Sequence, residues 1–238
     1  MTNNTFLTGK MAVVTGGGRG IGKAIAMRLA CLGATVVLAG TKAASLEAAV
    51  DEIKAAGGDA RAVVTDVARE YDVLNLFARA GNVDILVNNA GIGWWGNLVD
   101  MTVEEWDRVL GVNLRGAFLC SREAMRSMRG RGGRIINISS VVGIKAYAGQ
   151  GAYSASKQGL MGLSQAMALE GQKDNIITQV IAPGGVHTDL IGDARPDMDF
   201  SSMMRPEDVA DAVEFLLRQE GNAVTDLIRL RRRTNTPW

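Results

Sequence analysis

Residues 15–22 read Thr-Gly-Gly-Gly-Arg-Gly-Ile-Gly and lie between an apolar run at 11–15, which predicts a β-strand, and a stretch at 22–32, which predicts an α-helix. The glycines at 16, 20 and 22 follow the spacing G-x-x-x-G-x-G. Glycine allows a tight turn, a close approach of the backbone to a ligand and close packing of the helix on the strand. The helix N-terminus then offers free N–H groups and a positive dipole end to a phosphate. The stretch therefore predicts a turn that binds the pyrophosphate of a dinucleotide.

The same alternation of apolar runs and helical stretches continues outward along the chain. Further strands are predicted at 35–39, 62–65, 83–88, 134–139, 176–182 and, as a possible seventh, 226–230; helices are predicted at 43–56, 103–128 as one long helix, 152–170 and 205–219. The strands are continuous runs of Val, Ile and Leu, as expected where helices cover both faces of a parallel sheet. Residues 1–238 are thus expected to form a single α/β domain, a doubly wound (Rossmann) parallel sheet of about seven strands with helices on both faces.

Composition limits the partners that the chain is expected to bind. The 26 basic and 25 acidic residues leave a net charge of +1, which favours neither nucleic acid nor an anionic membrane. Four arginines within 229–233 are interpreted as a solvated end or an interface edge. Two isolated cysteines, Cys31 and Cys120, and a single histidine give no metal-site spacing and no disulfide framework. Without a signal peptide or a membrane-length apolar run, a cytoplasmic protein is expected.

The end of the second predicted strand bears on the choice of dinucleotide. An NAD site usually places Asp or Glu there to hold the ribose 2′-hydroxyl, and this chain has Gly40. Arg19 and Lys42 instead supply positive charge, and Thr41 a hydroxyl, where a 2′-phosphate would lie. NADP(H) is therefore preferred as the predicted cofactor, with NAD(H) possible. Asp66, after the third strand, either contacts the adenine edge or caps the next helix.

A set of short motifs follows the glycine turn in order along the chain. These are Asp66-Val67, Asn88-Asn89-Ala90-Gly91, Asn113, Ser139-Ser140, Tyr153-x-x-x-Lys157, and Pro183-Gly184 with Thr188. With them the chain resembles the classical short-chain dehydrogenase/reductase family, and most of all its 3-oxoacyl-(acyl-carrier-protein) reductases. The resemblance covers nearly the whole chain and implies hydride transfer between a nicotinamide cofactor and a carbonyl or alcohol carbon.

The resemblance also implies which residues would form the site. Cofactor contacts are expected from the glycine turn (Gly16, Gly18, Arg19, Gly20, Ile21, Gly22), around the adenosine (Thr41, Lys42, Asp66, Val67, Asn89, Ala90, Gly91) and near the nicotinamide (Tyr153, Lys157, Pro183, Gly184, Val186, Thr188). Asn113, Ser140, Tyr153 and Lys157 are the expected catalytic residues. No metal is expected.

Each of these four residues is expected to have a different chemical role. Tyr153 and Lys157 are four residues apart and share one face of a predicted helix. An ammonium beside the phenol is expected to lower the pKa of Tyr153 from about 10 toward the working range, so that it serves as proton donor. Ser140 is expected to hydrogen-bond the substrate oxygen, with Ser139 structural. By resemblance, Asn113 would hold a water that links Lys157 to solvent.

The expected roles of these four residues predict the reversible reduction of a ketone or 3-oxoacyl carbonyl to an alcohol. Two alternatives stay open: an NAD-linked alcohol or sugar dehydrogenase on the same scaffold and, more remotely, a non-catalytic nucleotide-binding scaffold. Retention of Ser140, Tyr153 and Lys157 argues against the scaffold. The physiological substrate is not predicted.

Residues around the expected substrate pocket are less strongly specified. Trp94, Trp95, Lys145, Tyr147, Gln150 and His187 are the candidates. The tandem tryptophans could line a pocket or an interface, or one could pack beneath its loop, and Lys145 could meet an anionic substrate. The C-terminal stretch is arginine-rich where the family ends in glycine-rich sequence, which weakens an acyl-carrier-protein assignment. The stretches 103–128 and 152–170 resemble the family's dimerising helices, so a homodimer or homotetramer is expected.

Overall fold

The computed structural model describes residues 5–188 and 202–235. Its seven strands form one sheet in the order β3-β2-β1-β4-β5-β6-β7, and every neighbouring pair is parallel. The strands are β1 Met11–Thr15, β2 Thr35–Gly40, β3 Asp59–Val64, β4 Ile85–Asn88, β5 Gly133–Ile138, β6 Ile176–Pro183 and β7 Leu227–Leu230. This order confirms the doubly wound Rossmann sheet, and it reverses direction between β1 and β4. A cleft at the carboxyl ends of these two strands follows from that reversal.

Helices cover both faces of the sheet, as predicted. They are α1 Gly20–Cys31, α2 Ala43–Ala55, α3 Glu70–Ala80, α4 Val103–Leu110, α5 Gly116–Met128, α6 Gly151–Gly171 and α7 Pro206–Leu217. The sheet lies between two hydrophobic cores, and neighbouring residues of β1 belong to different ones. Val14 packs in one core with residues of α1, α2 and α7, whereas Val13 packs in the other with residues of α3 and α5. Both faces of the parallel sheet are thereby buried.

Three elements differ most from the sequence-based prediction. Helix α3 was not predicted at all, because its buried residues Val73, Leu76 and Phe77 occupy one narrow face and the rest of the helix is largely polar. Strand β3 begins at Asp59 rather than at 62, because it is an edge strand whose exposed residues interrupt the apolar run.

The predicted single helix over 103–128 is the third difference. A π-helical turn, Gly111–Arg115, separates α4 from α5. Gly116 begins α5 beside Val67, and a Cβ at this glycine would lie 2.7 Å from Val67 Cγ2, so the helix packs unusually closely here. Within the described parts of the chain, none of the helices combines the length and apolar character needed to cross a membrane.

Candidate active site

A cleft of about 640 Å³ opens at the carboxyl ends of the central strands, where the strand order reverses. Most of the predicted cofactor and catalytic residues line it. They are Gly16, Gly18, Arg19, Gly20, Ile21, Thr41, Lys42, Asp66, Val67, Asn89, Ala90, Gly91, Ser140, Tyr153, Lys157, Pro183, Gly184, Val186 and Thr188. The topology therefore brings together residues that are as much as 172 positions apart in the chain, from Gly16 to Thr188.

The glycine turn has the backbone geometry that its composition predicts. Gly16 has φ +64° and Gly20 has φ +51°, conformations that favour glycine. Gly22, predicted as a cofactor contact, instead lies beneath the turn, where a Cβ would collide with the Gly16 carbonyl oxygen. The Asn89 amide fastens the turn by donating to the carbonyls of Thr15 at 3.0 Å and Gly16 at 3.2 Å. Gly22 is thus a packing residue, and Asn89 ties β1 to the end of β4.

Polar residues surround the end of the cleft beside β2 and β3. Thr41 and Lys42 line it together with Ser45, which the sequence analysis missed because serine in the first turn of a helix is unremarkable. Asp66 also lines the cleft, and its Oδ1 accepts from the Ala68 N–H at 3.0 Å. Helix α3 starts only at Glu70, so Asp66 fixes the turn before the helix rather than capping the helix itself.

Ser140, Tyr153 and Lys157 share one wall of the cleft. Ser140 follows the end of β5, and the other two project from α6. The Ser140 hydroxyl accepts from the Val142 N–H at 3.2 Å and lies close enough to the Tyr153 phenol to act on its pKa. Lys157 Nζ lies 5.8 Å from the centroid of the Tyr153 ring and donates to the Ile138 carbonyl at 2.9 Å. Ser139 donates to the Lys157 carbonyl at 3.3 Å, so it supports the helix that carries the lysine.

Burial dominates the electrostatics of this wall. It lowers the pKa of Lys157 to about 8. Burial also raises the pKa of Tyr153 above its ordinary value, against the opposing effect of the Ser140 hydroxyl. The expected lowering of the Tyr153 pKa by Lys157 is therefore wrong. Helical spacing indicates proximity, but the extent of desolvation is set by the whole fold.

Asn113 lies outside the cleft and is fully buried in the π-helical turn. Its Oδ1 accepts from the Ile92 N–H at 2.8 Å, and its Nδ2 donates to the Ile92 carbonyl at 2.9 Å and to Ser156 Oγ at 3.1 Å. The side chain thus joins the loop after β4 to α6. The water-holding role expected for Asn113 stays a prediction.

The structure separates the six candidate substrate residues into two groups. Trp95, Tyr147 and Gln150 line the cleft, and the Trp95 ring stacks on the ring of Tyr153 with centroids 6.3 Å apart and planes at 25°. Trp94, Lys145 and His187 do not line it.

These three residues lie outside the cleft in different surroundings. Trp94 packs against Gly96 and lies close enough to the Glu105 carboxyl to lower its pKa. Lys145 Nζ lies 6.0 Å from the centroid of the Tyr147 ring. His187 is exposed, and its backbone pairs with Met204.

Met203, Arg232 and Asn235 line the β6–β7 end of the cleft and were not predicted as site residues. Their contact with the cleft depends on the pairing of β7 with β6 and on an isolated bridge between Val186 and Met204. No local sequence pattern could reveal them. Arg232 therefore lines the cleft rather than being fully solvated, whereas its neighbour Arg233 is exposed, and the interpretation of the arginine-rich end as an interface edge stays a prediction.

The described residues contain no group of three His, Cys, Asp or Glu side chains arranged to hold a metal ion. Cys120 is buried, and burial raises the pKa of its thiol to about 12. Cys31 is exposed and lies outside the cleft.

Comparison with known proteins identifies the family of this chain. The family described as short chain dehydrogenase matches residues 10–199. The chain is 39% identical over 223 residues to the 3-oxoacyl-[acyl-carrier-protein] reductase of Synechocystis sp., covering 89% of this chain and 90% of that protein. It is 39% identical over 227 residues to the reductase of the same name from Escherichia coli, covering 91% and 93%.

A solved structure supports the same family. A metagenomic short-chain oxidoreductase in complex with NADP superposes with a TM-score of 0.83 at 37% identity, covering 96% of this chain and 99% of that one. Family, sequence and structure agree over nearly the whole length of the chain. The chain therefore belongs to the short-chain dehydrogenase/reductase family and is an oxidoreductase that acts on alcohol and carbonyl groups.

Proposed function

We propose that the protein is an NADP(H)-dependent reductase that converts a ketone or 3-oxoacyl carbonyl reversibly to an alcohol, with Tyr153 as proton donor. One observation carries the proposal: Ser140, Tyr153 and Lys157 line the same cleft as the glycine turn. Carbonyl reduction requires a proton donor and an oxygen-binding group beside a nicotinamide site. The similarity to 3-oxoacyl-(acyl-carrier-protein) reductases supports a carbonyl substrate.

Tyr153 keeps its proton at neutral pH, because a phenol has a pKa of about 10 and burial raises it further. It can therefore donate that proton to a carbonyl oxygen as negative charge develops there. The Ser140 hydroxyl, which lies close to the phenol, would hold the same oxygen. Lys157 has a pKa of about 8, close to working pH, and can return a proton to Tyr153 after each turnover.

The residues that line the cleft fit a phosphorylated dinucleotide. The positive-φ glycines and the N-terminus of α1 would hold the pyrophosphate. Arg19, Thr41 and Lys42 would hold the 2′-phosphate, since Gly40 offers no carboxylate to a 2′-hydroxyl. When bound, the nicotinamide would supply or accept the hydride. The complex of a 37% identical relative with NADP supports this choice.

The remaining lining residues divide between the two ends of the cofactor. Asp66 and Val67 would flank the adenine, and Asn89, Ala90 and Gly91 the adenosine ribose. Lys157 would donate to the nicotinamide ribose, and the carboxamide end would meet Pro183, Gly184, Val186 and Thr188. Backbone groups dominate this second set, so it would fix orientation rather than contribute charge.

A titration with NADPH and NADH, followed by nicotinamide fluorescence, tests the cofactor site. Arg19→Ala and Lys42→Ala should each weaken NADPH binding by about tenfold or more, the usual effect of losing a charged hydrogen bond, and leave NADH binding unchanged. Lys54→Ala is the matched control, because Lys54 is exposed on α2 and does not line the cleft.

The titration also separates the proposed function from its alternatives. Equal binding of the two nucleotides by the wild type, or tighter NADH binding, would overturn the charge argument and favour an NAD-linked alcohol or sugar dehydrogenase. Failure of the folded protein to bind either nucleotide would favour the non-catalytic scaffold.

We further propose that the chain is one domain over residues 1–238 and functions in the cytoplasm as a homodimer or homotetramer. An apolar groove supports the assembly, with Leu110, Leu114, Phe118 and Leu163 lining it where α4, α5 and α6 meet. Gel filtration with light scattering should therefore give a mass of two or four chains, and Phe118→Glu should shift it toward one. A wild-type protein with the mass of one chain would contradict the assembly.

A further inference from the structure

Residues 231–235, which follow β7, form a turn that the side chain of Arg231 stabilises. The guanidinium of Arg231 donates to the carbonyls of Arg232 at 3.2 Å, Arg233 at 3.3 Å and Asn235 at 2.8 Å. The Asn235 N–H closes the turn on the Arg232 carbonyl at 3.0 Å. The turn directs Arg232 and Asn235 into the cleft and leaves Arg233 exposed. These bonds hold in place the turn that carries Arg232.

The Arg232 side chain lies against the backbone that follows β6. Its Cδ and Nε lie 3.6 Å and 3.7 Å from the point where a Cβ of Gly185 would stand. The Nε–H is buried, and no residue in the described parts of the chain accepts a hydrogen bond from it. A buried charged donor without an acceptor is costly, so this group is suited to a ligand that supplies one.

The surroundings indicate what kind of ligand fits. Met203 lies beside Arg232, because its Cε and the Arg232 Cδ are both within 4 Å of the point where a Cβ of Gly185 would stand, and the lining of the cleft as a whole also includes Trp95 and Tyr147. Of the described residues that line the cleft, Asp66 alone carries a carboxylate, and it follows β3, at the opposite edge of the sheet from β7. Arg232 therefore has no acidic partner there, while its planar fork of N–H groups matches the oxygens of a carboxylate or phosphate.

We infer that Arg232 binds an anionic group of the carbonyl substrate, so that the enzyme prefers oxo acids or phosphorylated ketones to neutral ketones. The inference rests on the proposed carbonyl reduction. Carboxylate and phosphate share the chemistry that the guanidinium recognises. Arg232 is thereby assigned as a specificity-determining residue of the substrate site.

Matched pairs of substrates test the inference with the full-length enzyme and NADPH. Acetoacetate against ethyl acetoacetate isolates a carboxylate, and dihydroxyacetone phosphate against dihydroxyacetone isolates a phosphate. The wild type should reduce the anionic member of at least one pair with a kcat/KM about tenfold or more above that of the neutral member. The pair that shows this preference identifies the oxyanion.

Variants at two neighbouring arginines make the test specific. Arg232→Gln should lower kcat/KM for the preferred anionic substrate by about 10- to 100-fold, chiefly through KM, and leave the neutral substrate unchanged. Arg232→Lys should recover part of the lost kcat/KM, since lysine keeps the positive charge but lacks the planar guanidinium with its several N–H donors. Arg233→Gln should behave as wild type. NADPH affinity, measured by fluorescence, should be the same in all four proteins.

Three results would overturn the inference. A wild type without preference for either anion would do so, as would an Arg232→Gln variant that loses activity equally on charged and neutral substrates. Weaker NADPH binding by this variant would place Arg232 in the cofactor site instead. Failure of the proposed function looks different, because the wild type would then bind NADPH but reduce neither member of any pair, and the inference would fail with it.

Discussion

Replacing Lys157 with methionine should abolish activity and, at neutral pH, stabilise the protein. Burial lowers the pKa of Lys157 from 10.5 to about 8. At 1.36 kcal/mol per pKa unit, keeping this ammonium protonated inside the folded protein at pH 7 costs about 3 kcal/mol. Methionine has a similar length and no charge, but it loses the hydrogen bond to the Ile138 carbonyl, which costs about 1–2 kcal/mol. We therefore expect Lys157→Met to gain about 1–2 kcal/mol in free energy of unfolding.

The pH dependence of this gain is the sharper test. Between pH 8 and 10.5 the unfolded chain binds more protons at Lys157 than the folded chain does, so wild-type stability rises with pH through this window. The methionine variant lacks this contribution, and its advantage should shrink by about 1 kcal/mol between pH 7 and pH 9. Tyr153 and Cys120, whose pKa values burial raises, are present in both proteins and cancel in the difference.

Urea unfolding followed by tryptophan fluorescence, at a fixed protein concentration, measures the difference at both pH values. Lys54→Met is the control, because Lys54 is exposed on α2 and its replacement removes no buried charge. The gap between this control and the wild type should be the same at pH 7 and pH 9. A Lys157→Met variant whose gap from the wild type does not change with pH would refute the depressed pKa, and with it the proposed return of a proton to Tyr153.

Two further substitutions test the glycine turn and the substrate wall. Gly22→Ala should cost about 2 kcal/mol or more in the free energy of unfolding, because its Cβ would collide with the backbone of the turn, whereas Gly162→Ala on α6 meets nothing within 4 Å and should gain about 0.5–1 kcal/mol. Thermal denaturation of the two variants checks both signs, and equal effects would contradict the packing argument. Trp95→Ala should raise KM for a bulky apolar ketone by about tenfold, since Trp95 lines the cleft and stacks on Tyr153. Trp94→Ala should leave that KM unchanged, and the opposite ranking in steady-state kinetics would reverse the assignment of the two tryptophans.

The sheet was largely predictable because parallel strands that are buried on both faces consist of consecutive apolar residues. Strands β1, β2, β5 and β6 lie within one residue of their predicted bounds at each end. Helix α3 was missed because only one narrow face of it is buried, so its sequence lacks a broad apolar stripe. The π-helical turn was missed because residues 103–128 keep a helical pattern throughout, and the interruption coincides with long-range bonds from Asn113 to Ile92 and Ser156.

The site was predictable where a motif holds its residues close together in sequence. Tyr153 and Lys157 lie on one helix face and reach the cleft as expected. Arg232 could not be predicted, because its place depends on β7 pairing with β6 and on the turn that Arg231 fastens. The direction of the Tyr153 pKa shift was wrong for the same kind of reason, since burial is a property of the complete fold.

Steady-state reduction of a carbonyl substrate by the wild type and by Tyr153→Phe, both saturated with NADPH, tests the central claim most directly. Phenylalanine keeps the ring that stacks on Trp95 and removes only the hydroxyl. If Tyr153 donates the proton, kcat should fall by about 100-fold or more while the NADPH dissociation constant stays unchanged. A Tyr153→Phe variant that keeps a kcat close to that of the wild type would contradict the account.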